Sequence, residues 1–379
     1  MKIFKQFLVG LGLLLCVPQD AEAVKAYPRP VTITQPDGTK ITVRIHGDES
    51  FHYTTTIDGF MLERDKTGFF RYVNYDFNTG VKTLSAQRAR NVGERTAEEK
   101  TFVANLKAAQ LITADMKTRR TPMLKRHSRA VRPWLKKQPL MKANAATADA
   151  ETPTTAESQY LVILVNFADC GFQYKNEDFE TWLNEPGYST NGGTGSVKDY
   201  WRDNSMGQFV PNFTVVGPYT LSQNQLYYAG NAEDTGEDAN PRAMIKEACQ
   251  LAKKANPDLD FSRYDNDGDG FVDNCYVIYA GYSEASTANG DDMWPHSWTM
   301  GDDVFEIDGV KIDEYSCSAE LVGMPGAPEE PTMDGIGTFT HEFGHILGLK
   351  DMYDTDDYTN GYGVDPGAYS LYASGSYNN

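Results

Sequence analysis

Apolar and polar residues alternate through residues 28–85, and the alternation is broken by Asp-Gly and Gly turns. In VTITQPDGTKITVRI it runs into Asp37-Gly38 and out again, which predicts two short antiparallel strands. TTTIDGFML repeats the device at Asp58-Gly59, and RDKTGFFRYV continues it. Thr96-Ala97-Glu98-Glu99 has capping-box spacing and predicts a helix from there to about residue 117. From Tyr160 the pattern changes. YLVILVNF and NCYVIYAG are continuous apolar runs of strand length, as buried strands require. NEDFETWLN, GSVKDYWRDNSMG and NPRAMIKEACQLAKKAN space their apolar residues as helices, the last with Pro241 in its first turn. FVPNFTVVGPYTL reads as extended, VFEIDGVKIDEYS as a hairpin turning at Asp308-Gly309, and TFTHEFGHILGLK as a closing helix. A small antiparallel β-unit plus helix, followed by a mixed region, predicts an α+β chain.

Four segments follow. Residues 1–23 read as a signal peptide: Lys2 and Lys5, a short apolar run, then Ala21-Glu22-Ala23. The run is too short for a membrane span, and Leu13-Leu14-Leu15 lacks the small residue that lipid attachment at Cys16 would want. Nothing later is long enough to span, so an exported, soluble protein is expected, with association to the cell surface left open. Residues 24–140 hold the hairpins, the helix and a basic tail (KTRR, LKRHSR, WLKK). Residues 141–158 are an Ala/Thr-rich linker open to nicking, and 159–379 form the main domain.

Charge divides along the same lines. Residues 24–154 carry 23 Lys+Arg against 13 Asp+Glu, whereas 155–379 carry 10 against 38. The two parts attract each other, and the acidic one excludes nucleic acid while suiting divalent cations. Cys170, Cys249, Cys275 and Cys317 remain after signal removal; they allow two disulfides in three pairings, and no CxxC pair offers a thiolate metal site.

The chemistry concentrates in HEFGHILGLKD. Residues four apart on a helix share a face, so His341 and His345 present two imidazoles to one metal, with Glu342 between them to take a proton from its water. Gly348 can end the helix and reverse the chain, which brings Asp351 back as a natural third ligand. A second constellation is DNDGDGFVD. Asp265, Asp267, Asp269 and Asp273, with the Phe271 carbonyl and Gly270 at the sharp turn, have calcium-loop spacing; Tyr276 stands where an EF-hand has its closing glutamate, so calcium would be held by fewer or more distant ligands. Asp354, Asp356 and Asp357 read as a solvated loop.

HEFGHILGLKDMYDT, YDNDGDGFVDNCYVIYAG, MWPHSW and the N-terminal PDGTKITVRIHGDESFHYTTTIDGF together resemble the immune inhibitor A family of secreted bacterial metallopeptidases, a zincin group with the HExxHxxGxxD variant. The resemblance implies a zincin-type domain with a mixed sheet and active-site helix, preceded by a removable propeptide over 24–140. It implies a secreted zinc endopeptidase made as a zymogen, with His341, His345 and Asp351 on zinc, Glu342 as base, protein or peptide substrates, and the propeptide as intramolecular inhibitor. One position departs: the methionine turn that floors such sites reads YSLYASG here, with Tyr372 in the methionine's place. Asn379 follows soon after, so a chain truncated at its C-terminal end is expected.

Tyr353, Tyr372 and His296 are the candidates for an oxyanion donor, His296 being better read as structural. The hairpin at 303–319 could offer a sheet edge to an extended substrate. Two further readings differ in class: a catalytically impaired, calcium-stabilised binding or adhesion protein on a zincin scaffold, and a zinc hydrolase of a non-peptide amide. A pure binder has no use for Glu342, which favours the peptidase.

Overall fold

A computed structural model describes residues 22–49, 51–76, 81–106, 158–232, 237–323, 325, 332–355 and 365–378. The predicted signal segment up to residue 21, the basic stretch 117–137, and Asp356 and Asp357 lie outside the described residues.

Glu22 and Ala23, the last residues of the predicted signal segment, form strand β1 (Glu22–Ala23). Six strands then pair in order as an antiparallel meander: β2 (Val31–Thr34), β3 (Lys40–Asp48), β4 (Phe51–Thr56), β5 (Met61–Arg64), β6 (Phe70–Asp76) and β7 (Val81–Arg88). The turns fall at Asp37-Gly38 and Asp58-Gly59 as the alternation predicts, with Ile33 opposite Ile41. Helix α1 (Ala97–Ala104) starts at Thr96, whose hydroxyl accepts the Glu99 N–H at 3.2 Å. Glu99 does not close the capping box. Its buried Oε1 accepts the Tyr72 hydroxyl at 2.8 Å and the Arg90 N–H at 3.0 Å, so a tertiary contact replaces the local one.

The main domain is built on a seven-stranded mixed sheet in the order β1-β11-β14-β10-β8-β9, with β15 (Thr332–Met333) pairing on β14. Its members are β8 (Gln159–Asn166), β9 (Asn212–Thr220), β10 (Cys275–Tyr282), β11 (His296–Thr299) and β14 (Glu314–Val322). β9, β8, β10 and β14 run parallel, which is why β8 and β10 read as unbroken apolar runs: both faces are covered. β11 and β1 close that side antiparallel. β12 (Phe305–Ile307) and β13 (Val310–Ile312) form a separate two-stranded hairpin.

Helices α2 (Asn176–Asn184), α3 (Val197–Asn204), α4 (Pro241–Ala255) and α5 (Ile336–Ile346) cover the sheet. α4 buries Met244, Ile245, Ala248 and Ala252 against one face. α2, α3 and α5 pack on the other around Trp182, Trp201, Phe339 and Phe343. Cys249 on α4 and Cys275 on β10 meet at 3.3 Å, but Cys170, Cys249, Cys275 and Cys317 are all free thiols, so neither expected disulfide is formed in this structure. Among the described residues no helix is long and apolar enough to cross a membrane.

Candidate active site

Phe339 and Phe343, four apart on α5, bind that helix to the sheet, with Phe339 stacked on Tyr276 at 3.9 Å. Full burial of a Phe side chain contributes about 1.5–3 kcal/mol. His341 and His345 share another face of the same helix and are buried. Gly348 takes a left-handed φ of 85° after the last turn; its N–H bonds the His345 carbonyl at 2.9 Å, and the Leu349 N–H bonds that of Gly344 at 3.1 Å. This reversal carries Asp351 back beside His341 and His345.

The donors converge. His341 Nε2 and His345 Nε2 are 3.0 Å apart, and Asp351 Oδ1 lies 3.3 Å from the first and 3.7 Å from the second. Each Nδ1 faces a backbone carbonyl, His341 that of Leu371 at 2.7 Å and His345 that of Leu349 at 2.8 Å. A carbonyl only accepts, so both Nδ1 atoms carry the proton and both Nε2 atoms face the triangle as lone pairs. Two lone pairs and a carboxylate oxygen at these separations repel one another without a cation between them. Tetrahedral zinc with ligands at about 2.0–2.1 Å places them about 3.3 Å apart, so this set fits zinc.

Glu342 is wholly buried beside them, and its Oε1 accepts the Val24 N–H at 2.7 Å. Val24 follows β1, and its carbonyl accepts from the Trp294 indole at 2.9 Å. Lys25 pairs with Asp365 at 2.7 Å. From the same N-terminal region, the Glu49 carboxyl is pushed well above its ordinary range by burial and by the charges of Asp48, Asp351 and Glu342. The Val24 contact is made by a backbone amide, which has no residue signature in the sequence.

Tyr372 lies under the site, its ring stacked on His341 at 5.2 Å and tilted against His345 at 5.4 Å. Gly344 allows this: a Cβ there would stand 1.6 Å from the Tyr372 hydroxyl. Tyr353 is buried, its hydroxyl pushed up by burial and by the charge of Asp351, with Glu342 also nearby. His296 is not at the site chemistry. Its ring is buried between the Trp294 carbonyl at 2.8 Å and the Tyr315 hydroxyl at 3.0 Å, and burial pushes it down to about 4. In the hairpin expected to offer a sheet edge, β12 and β13 pair with each other and Lys311 of β13 bridges to Phe271, whereas β11, from MWPHSW, is the strand that receives β1.

In the acidic loop, carboxylate oxygens of Asp265, Asp267 and Asp269 gather within 4.8 Å of one another. Asp273 does not join them. Its Oδ2 accepts the Asn266 backbone N–H at 2.9 Å and side-chain amide at 2.6 Å, and burial with the Asp267 and Asp265 charges pushes it up to about 6. The Phe271 N–H donates to Asp269 at 2.9 Å.

A mixed sheet backed by a helix that carries two imidazoles and a glutamate, with a carboxylate returned by a glycine turn, defines a metallopeptidase-type scaffold. Residues 150–379 match the immune inhibitor A peptidase M6 catalytic domain, and the chain belongs to that family. It is 30% identical to Immune inhibitor A of Bacillus thuringiensis subsp. alesti over 255 residues, covering 58% of this chain and 36% of that protein. It is likewise 30% identical to the pre-pro-metalloprotease PrtV of Vibrio cholerae serotype O1 (strain M66-2) over 197 residues, 48% of this chain and 21% of that one. The matched region thus spans well under half the length of either relative.

Proposed function

We propose that this protein is a zinc endopeptidase, exported and synthesised as a latent precursor. The observation that carries the reading is the facing pair of Nε2 lone pairs, 3.0 Å apart, with Asp351 completing the triangle. Zinc, when bound by His341, His345 and Asp351, supplies Lewis acidity toward the scissile carbonyl and acidifies water. Glu342 is placed to accept the proton at Oε1 and to return it to the leaving amine nitrogen. Tyr353, beside Asp351 and Glu342, is the better placed oxyanion donor, since Tyr372 serves as the floor beneath His341. An extended peptide would pair by backbone hydrogen bonds along β11, the edge that Glu22 and Ala23 cover before the signal segment is removed. Calcium in the 265–273 loop would offset its clustered carboxylates and pin the entry to β10.

The test uses the full chain, nicked within its basic stretch at 117–137, on casein. Cleavage that stops on chelation and returns with zinc is expected. One zinc per nicked chain with casein intact would sink the reading and favour the binding scaffold; hydrolysis of a cell-wall amide instead would favour the third class.

Latency is proposed to reside in residues 24–140. Val24 at Glu342, Glu49 near Asp351, and Lys25 on Asp365 support a leader lying over the site. Opposite charge in the two regions adds long-range attraction, which molar salt screens to about 3 Å. Nicked protein should therefore release its leader several-fold more readily in molar sodium chloride, read by size-exclusion chromatography. An unchanged leader affinity would remove the electrostatic part of the proposal.

A further inference from the structure

We propose that Asn231, Asp238 and Glu284 form a divalent-cation site of the calcium class, separate from the histidine centre and from the 265–273 loop, on the face that the leader covers. Asn231 and Asp238 are directly opposed in an antiparallel bridge, so their side chains leave on one face a short distance apart. The Asn231 amide donates to Glu284 Oε1 at 2.9 Å. Glu284 is also the strongest neighbouring charge acting on Asp238. The three side chains therefore adjoin one another.

Each presents an oxygen that no hydrogen bond among the described residues satisfies: Asn231 Oδ1, Asp238 Oδ1 and Glu284 Oε2 are all buried. Glu284 is 4% exposed and the Asp238 side chain 5%. Buried polar atoms are paired in the great majority of cases, so three orphans among three adjoining side chains mark a missing partner. Asp238 is held by its other oxygen, which accepts the Trp294 N–H at 3.1 Å. Neighbouring Asp292 differs in just this respect: its two oxygens accept from Gln225 at 3.0 Å and Thr287 at 2.6 Å. Two carboxylates and an amide carbonyl, with no thiolate, are hard oxygen ligands suited to calcium.

The positive charge brought to the pocket comes from the leader. His52 Nε2 lies 3.0 Å from Glu284 Oε1, and Arg64 feels Asp292, Asp291 and Glu284. Leader departure removes both groups and leaves the carboxylates uncompensated. Cation and leader therefore compete for Glu284, and the ion binds more tightly once His52 is gone.

Terbium(III), a luminescent calcium substitute, tests this in the full zinc-loaded chain carrying Asp267→Asn to disable the acidic loop. Excitation through tryptophan favours this site, because the Trp294 backbone N–H donates to Asp238 and its ring stacks at 4.6 Å on His52, which in turn lies against Glu284. One calcium-displaceable terbium is expected in the Asp267→Asn chain. Adding Asp238→Asn or Glu284→Gln should abolish the emission, and adding His52→Phe should tighten binding several-fold. Should either acidic variant misfold by circular dichroism, Asn231→Ala must weaken terbium several-fold in its place. No terbium bound to the Asp267→Asn chain, or emission unchanged by these substitutions, overturns the site; unchanged affinity in His52→Phe overturns the competition.

Discussion

Glu342→Gln is expected to keep the fold and the zinc, and to lower casein cleavage by about 10²–10⁴-fold, the contribution of a positioned general base. Glutamine has the shape of glutamate and retains an acceptor, so the Val24 N–H keeps its partner at Oε1. The Ser316 hydroxyl bonds the backbone carbonyl of residue 342, which the substitution leaves alone. What disappears is the ability to take a proton. The loss should fall on kcat, with KM little changed, because the group acts in the transition state and holds no part of the ground-state peptide. Zinc content by elemental analysis separates this outcome from a collapsed site. Undiminished cleavage with zinc bound would assign the base to another residue, and equal loss of zinc and activity would make Glu342 structural.

The parts of the fold that were legible in sequence are those decided by local periodicity. The runs at 159–166 and 275–282 announce central parallel strands, because a strand covered on both faces cannot afford polar positions. His341 and His345 announce themselves by helical spacing, and Gly348 by its left-handed turn before Asp351. The illegible parts are decided by contacts distant in the chain. β11 is four residues long and becomes a sheet member only through β14 and β1. Glu99 leaves its local cap because Tyr72 and Arg90 reach it. Asp273 leaves the acidic cluster because Asn266 offers it two donors. The groups that orient the histidines are the Leu349 and Leu371 carbonyls, and a backbone carbonyl has no residue signature. Tyr372 was legible as a departure, but its consequence depends on what faces it across the site.

That consequence yields a second large effect. Gly344→Ala should lower zinc affinity and cleavage by about 10²-fold, the scale on which a site displaced by 1 Å loses activity. Helix propensity alone predicts the opposite sign, since alanine stabilises a helix interior by about 1 kcal/mol over glycine. Here the new Cβ would meet the Tyr372 hydroxyl at 1.6 Å, its Cζ at 2.8 Å and the Trp201 ring at 3.1 Å. Overpacking of this kind costs about 1–3 kcal/mol and occasionally more, enough to override propensity. The displaced tyrosine carries the site with it: its ring lies on His341, and its carbonyl accepts the Met352 N–H at 2.7 Å, one residue beyond Asp351. Adding Tyr372→Met should restore most of the zinc affinity, because a flexible thioether can fold away from the new methyl group. Tyr372→Phe should rescue less, as the ring carbon stays in place. A double variant with methionine as impaired as Gly344→Ala would place the fault in the helix itself. Full activity in Gly344→Ala would mean that Tyr372 swings clear and is no floor to the site.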